Sequence, residues 1–199
     1  MTGVPSSAEP LQQRIRDRVL SEVSETAVAL FVANGFDETT VDQICEAAGL
    51  SRRSFFRYFK GKEDVVVSLF STFAVEGCAH FVARPAGEDV WTALRHSMTP
   101  MTRWADDDPV RAVAMLRLID DSPSLRARYL DRVDRWRASL ADVVHARQAS
   151  ATHLQAAVIA AAGMGAYLAA VRAWVATDGA DSLPTLFDAA FAALRPRMD

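Results

Sequence analysis

Between Gly49 and Lys62 the chain places Arg52, Arg53, Arg57, Lys60 and Lys62, and no acidic residue. The 199-residue chain carries a formal net charge of −3, and these two lysines are its only ones, so the run departs from its background. Arginine can pair bidentately with guanine in the major groove of DNA, and basic residues later in a helix more often meet phosphate. The chemistry on offer is therefore the binding of a nucleic acid polyanion, with base readout at Arg52 and Arg53. A solvated basic face on an ordinary helical hairpin would carry the same charges. The elements that hold the arginines decide between the two.

Thr40 can cap a helix, with Gln43 three residues on as a capping box requires. Val41, Ile44, Cys45 and Ala48 recur at helical spacing and give that helix one buried face. Gly49 stands where the chain must reverse, in a conformation that glycine tolerates. Ser51 then caps a second, short helix. Phe55 and Phe59 lie one turn apart and turn that helix toward a core, which leaves Arg52, Arg53, Phe56 and Arg57 outside. Two helices joined by a short glycine-containing turn form a helix-turn-helix, whose second helix enters the major groove. Thr40, Ser54, Phe56, Arg57, Tyr58 and Lys62 are expected at the DNA backbone or sugar edge, and Ser51 belongs to the same DNA-binding set.

The residues Thr40, Val41, Ile44, Cys45, Ala48, Gly49, Leu50, Ser51, Phe55, Phe56, Phe59, Lys62 and Glu63 resemble the motif of the TetR family of bacterial transcriptional regulators. The preceding Ala33-Asn34-Gly35-Phe36 is similar to the end of that family's first helix. The resemblance is strong from about residue 15 to about residue 70. Phe56 stands where the family usually has tyrosine, and Tyr58 where it often has histidine. The resemblance implies a repressor that binds a palindromic double-stranded DNA operator as a homodimer. It also implies release when an effector in the C-terminal domain shifts the fourth helix and the spacing of the recognition helices. Such an effector must bind the DNA-incompetent state more tightly, because equal affinity for both states shifts nothing. The alternative is a small-molecule sensor or protein-interaction module that does not bind DNA.

Composition supports an ordered chain: 50% of residues are hydrophobic, with 9 Gly and 8 Pro. The sequence pI of about 5.8 gives no global affinity for nucleic acid, so binding must be local. Cys45 and Cys78 show neither metal-ligand spacing nor a disulfide framework, and read as small buried hydrophobes. The start of the chain is polar and lacks a signal-peptide pattern, which points to the cytoplasm. The apolar stretch from Ala156 to Val171 is shorter than a spanning helix needs and is followed by Arg172, so it reads as a buried helix. No nucleophile elbow, phosphate-binding glycine loop, metal motif or paired carboxylates are present, so neither an enzyme nor a cofactor or metal site is expected.

The punctuation predicts an all-α fold of about nine helices. Residues 1–10 read as a disordered tail, residues 11–61 as the helix-turn-helix domain and residues 62–199 as a C-terminal effector-binding and dimerisation domain. Helix one is expected from Leu11 to Asn34, with Ile15, Val19, Val23, Ala27, Leu30 and Phe31 on one face. Helix four starts near Lys62 and stops at Arg84-Pro85. A fifth spans about 88–105, kinked or split at Pro100. Asp108-Pro109 and Ser122-Pro123 open two more. The last two cover about 152–177 and 183–194, with Pro196 following.

The C-terminal part carries two further expectations. Ala160, Gly163 and Ala170 are small residues at helical spacing, and Phe187, Phe191 and Leu194 form an apolar stripe; both are assigned to a dimer face. In TetR-like proteins the last two helices of each subunit form a four-helix bundle, as the resemblance implies. Phe73, Trp91, Met98, Met101, Trp104, Met115, Trp136, Met164 and Tyr167 are assigned to an apolar small-molecule pocket, although such residues also build plain cores. The stretch Val110 to Trp136 is similar to the TetR-like subgroup with an acyl-coenzyme A-binding C-terminal domain, which implies a long apolar effector.

Overall fold

The computed structural model describes residues 11–148 and 150–194. The expected tail over residues 1–10 and the stop at Pro196 lie outside them. The described chain is all-α, with no strand among the described residues. Its ten helices are α1 Leu11–Asn34, α2 Val41–Ala47, α3 Arg52–Tyr58, α4 Lys62–Ala83, α5 Val90–Ser97, α6 Thr99–Asp107, α7 Pro109–Asp121, α8 Pro123–Arg147, α9 His153–Ala176 and α10 Leu183–Ala192. The count exceeds nine because the expected fifth helix is split. Pro100 lacks an N–H and its ring would meet the carbonyl four residues back. The helix therefore ends at Ser97, and α6 restarts with Pro100 in its first turn.

The chain divides into two compact units, one ending at Leu69 and the other beginning at Phe70. In the first, Val23, Ala27, Val28 and Phe31 of α1 are buried together with Phe36, Ile44, Cys45, Phe55, Phe59, Val65 and Val66. Ile15, expected on the same stripe, is 52% exposed, so the buried face of α1 begins at Val23. Ser24 is buried in that stripe; its hydroxyl meets the Ser68 hydroxyl at 3.0 Å and donates to the Val65 carbonyl at 3.3 Å, which ties α1 to the start of α4.

In the second unit α9 packs on α5, α7, α8 and α10. Its buried face runs through Ala156, Ala160, Gly163, Met164, Tyr167, Ala170, Val171 and Trp174. Gly163 admits Leu94 of α5: a Cβ there would lie 2.7 Å from Leu94 Cδ2. Polar ties complete the packing. Arg95 pairs with Asp188, joining α5 to α10. Asp106 accepts from the Leu183 N–H and the Ser182 hydroxyl, so α6 caps α10, whose own Ser182 makes no side-chain cap.

Candidate DNA interface and effector cavity

The helix-turn-helix is built as its cap residues dictate. The Thr40 hydroxyl accepts from the Gln43 N–H at 3.2 Å, and the Gln43 side chain accepts from the Thr40 N–H at 2.8 Å, a closed capping box. At the other end of α2, Gly49 has φ +65, the Leu50 N–H donates to the Cys45 carbonyl and the Gly49 N–H to the Glu46 carbonyl. This Schellman closure needs the left-handed conformation that glycine adopts without strain. Ser51 accepts from the Ser54 N–H at 3.1 Å and opens α3. Phe55 and Phe59 are buried with ring centroids 5.2 Å apart. They fix which side of α3 faces out.

The outer side of α3 presents Arg52, Arg53, Phe56 and Arg57, all exposed. Arg53 makes no hydrogen bond or ion pair among the described residues, so its guanidinium is available. Arg57 donates to the Tyr58 hydroxyl at 2.9 Å and lies over the Tyr58 ring, which makes the two side chains one polar unit. Phe56 is 49% exposed and lies beneath Arg52, whose guanidinium carbon is 5.8 Å from the ring centroid. Arg52 is engaged a second time: its Nη1 donates to both carboxylate oxygens of Asp42 at 2.7 and 2.8 Å. The acid-free window in the sequence begins at Gly49, so it did not reveal this partner on α2. Thr40 and Ser51 are exposed, and their hydroxyls serve the two caps. Ser54 is half-buried and accepts from Ser51.

Lys62 departs from expectation. Its ammonium donates to the carbonyls of Phe36 at 2.7 Å, Asp37 at 2.9 Å and Thr39 at 3.1 Å, and sits 4.6 Å from the Phe36 ring centroid. An ammonium has three donors, and all three are taken. Lys62 is a staple between the first turn of α4 and the loop before α2, not a free phosphate contact. Thr39, which composition did not single out, is fully buried in that loop and donates to the Gly35 carbonyl at 2.8 Å.

The second unit brings only part of the expected pocket together. Phe73, Met101, Trp136 and Tyr167 line one void with Phe70, Ala74, Tyr129, Arg132 and Val133; its volume is about 10 Å³. Trp104 closes it by ring contacts to Phe70 and Phe73. Met98, Met115 and Met164 are buried outside that lining, and Trp91 packs on Phe191. The set is thus a close-packed aromatic core around a void too small for an organic guest, rather than an open pocket. Burial holds the Tyr129 hydroxyl in its protonated form, with a pKa pushed up to about 12, and pushes that of Tyr167 up as well. The Trp136 Nε1 is buried without an acceptor.

The residues assigned to a dimer face also depart from expectation. Ala160, Gly163, Ala170, Phe187 and Phe191 are buried within the chain's own fold, and Leu194 is half-buried. Phe187 packs on Tyr167 and Phe191, so the apolar stripe of α10 is covered by α9 and α5. The opposite face of α9 is apolar as well, with Leu154 74% and Val158 57% exposed. Ala157, Gly165, Ala169 and Ala173 continue that exposed face.

By length and composition α4 and α9 are each apolar enough to cross a membrane. In α9 the buried residues recur at helical spacing on the side that meets its neighbours, which is the pattern of a core helix. Cys45 and Cys78 are free thiols whose pKa values are raised, chiefly by burial, so both are weak nucleophiles at neutral pH. Among the described residues no group of three or more His, Cys, Asp or Glu could hold a metal ion.

Comparison with known proteins agrees with this architecture. Residues 24–69 match the family of bacterial regulatory proteins, tetR family, and residues 88–199 match the MftR C-terminal domain. The HTH-type transcriptional regulator TcmR of Streptomyces glaucescens is 33% identical over 144 residues, which cover 69% of this chain and 64% of TcmR. The chain thus spans less than two thirds of that relative's length. MftR of Mycobacterium tuberculosis is 28% identical over 179 residues, covering 89% of this chain and 90% of MftR. A crystal structure of the transcriptional regulator FadR from Bacillus subtilis in complex with stearoyl-CoA superposes with a TM-score of 0.60. The two share 17% identity over 87% of this chain and 96% of FadR, a likeness of fold. The chain belongs to the TetR family of bacterial regulatory proteins, with a C-terminal domain of the MftR type.

Proposed function

We propose that the protein is a ligand-responsive transcriptional repressor that binds a palindromic operator as a homodimer and releases it when a small apolar effector binds the second unit. The observation that carries this reading is the doubly capped α2–α3 pair, with its buried phenylalanines and its exposed Arg52, Arg53 and Arg57. Arg53 reads base edges directly. Arg52 does so with the donors that Asp42 leaves free, since only Nη1 is held. Arg57, Tyr58, Phe56 and Ser54 meet the backbone. A regulator of this kind works in the cytoplasm and performs no catalysis.

Pairing of two chains uses the exposed face of α9, from Leu154 through Val158 to Ala169, with the outer side of α10. Two half-sites are then read at once, which a single helix-turn-helix needs for specificity. The effector enters by spreading the walls around Phe73, Met101, Trp136 and Tyr167. The lining that would then open is mostly apolar, and the stearoyl-CoA bound by Bacillus subtilis FadR supports an acyl thioester as the effector class. Two experiments test the reading. Arg53→Ala lowers operator affinity by about 1–3 kcal/mol and relaxes specificity at one position; equal losses for operator and random duplexes refute base reading. A thermal-shift series of acyl-CoAs raises the unfolding temperature; no stabilisation at any chain length refutes the effector class.

A further inference from the structure

Away from the aromatic core, the second unit holds an open cleft of about 600 Å³ lined by His80, Ala83, Arg84, His96, Thr99, Pro100 and Arg103. That volume lies within the range of small-molecule sites, roughly 300–1,000 Å³. Two guanidinium groups and two imidazoles face it, and no carboxylate lines it. Glu88, which contacts two of the lining residues, is engaged: its oxygens accept from Arg84 Nε at 2.7 Å and Nη2 at 2.5 Å. The Glu88 carboxylate is also 3.6 Å from His96 Nδ1, a buried nitrogen with no hydrogen-bond partner.

One side of the cleft is held by α8, and Arg103 is its uncommitted guanidinium, since Arg84 is paired with Glu88. Arg147 donates to the carbonyls of Arg84, Pro85 and Glu88, so the α4–α5 loop is clamped by α8. Arg103 and His80 are exposed, and neither has a partner among the described residues. No side chain caps the N-terminus of α6, whose first residues Thr99 and Pro100 form part of the wall.

We propose that this cleft is a second small-molecule site, which takes a small organic anion of the carboxylate or phosphate class on Arg103, His80 and His96. It is separate from the aromatic core and does not depend on the DNA-binding reading, because its test contains no DNA. Inorganic pyrophosphate is the probe. The full chain, at constant ionic strength, is titrated while the Cε1–H signals of its four histidines are followed by NMR, with His80→Gln and His96→Gln assigning two of them.

The expected result is a saturable shift of the His80 and His96 signals, with those of His145 and His153 unmoved. Arg103→Ala should weaken binding about tenfold, as loss of one charge-assisted contact does, and Arg103→Lys should recover part of it. Arg103 is solvent-exposed, so the variant keeps its fold, and circular dichroism checks that. No shift, a parallel unsaturable drift of all four signals, or unchanged affinity in Arg103→Ala would overturn the proposal.

Discussion

Replacing Lys62 by methionine separates two roles that the sequence confounds. Methionine keeps the apolar stem and removes the ammonium that joins the Phe36, Asp37 and Thr39 carbonyls. A hydrogen bond to a charged group contributes about 1.5–3 kcal/mol, and ordering a lysine costs up to about 2 kcal/mol of rotamer entropy. The Asp37 bond is exposed and the other two are part-buried, so the lower end applies to each. The net contribution of the staple is then about 2–3 kcal/mol. For a chain of this size that corresponds to a fall in unfolding temperature of roughly 5–10 °C. Urea or thermal unfolding at fixed protein concentration reads it, and DNA binding at several salt concentrations reads the rival role. A staple leaves the salt slope as it is in the parent. Unchanged stability, with a salt slope reduced by about one unit per subunit, would show that Lys62 binds phosphate and would refute the reasoning.

Three more predictions follow from the second unit. Gly163→Ala forces a methyl group to 2.7 Å from Leu94 Cδ2; overpacking outweighs the helix-propensity gain, and chemical denaturation should show a loss of about 1 kcal/mol. Val158→Asp places a charge on the exposed face of α9 and should turn a dimer into a monomer in sedimentation velocity. A dimer that persists would move the interface elsewhere. The Glu88 carboxyl is held below its ordinary range by its hydrogen bond from Arg84, with lesser help from the charges of His96 and Arg147. Because its folded-state pKa is depressed, its contribution to stability is complete above the ordinary carboxylate range and is lost as pH falls through the lowered value. The stability gap between parent and Glu88→Gln should close over that window, and a gap independent of pH would exclude the linkage.

The helix boundaries were legible because their signals are local. Thr40 with Gln43, Ser51, Gly49, and proline after Asp108 or Ser122 each act within four residues, and each stands where its helix begins or ends. Contacts between distant residues were not legible. Asp42 lies ten residues before Arg52, and the carbonyls that hold Lys62 lie 23 to 26 residues before it, so neither enters a scan of the charged window. The choice of face on α9 was hidden for another reason. The helix is apolar nearly all round, so periodicity marks no single buried side. Its Ala160–Gly163–Ala170 stripe faces the chain's own core instead. Pocket and core are likewise made of the same residue types. Whether Phe73, Trp104 and Trp136 leave space depends on how their rings meet, which composition does not encode.

The most direct test of the central claim uses a fluorescent duplex carrying the DNA immediately upstream of the protein's own gene. An unrelated duplex serves as control, and anisotropy is recorded at two salt concentrations. A repressor built on the exposed arginines of α3 binds the upstream duplex preferentially, two chains at a time, and loses affinity steeply as salt rises. Equal weak binding to both duplexes, or no binding at low salt, would contradict it.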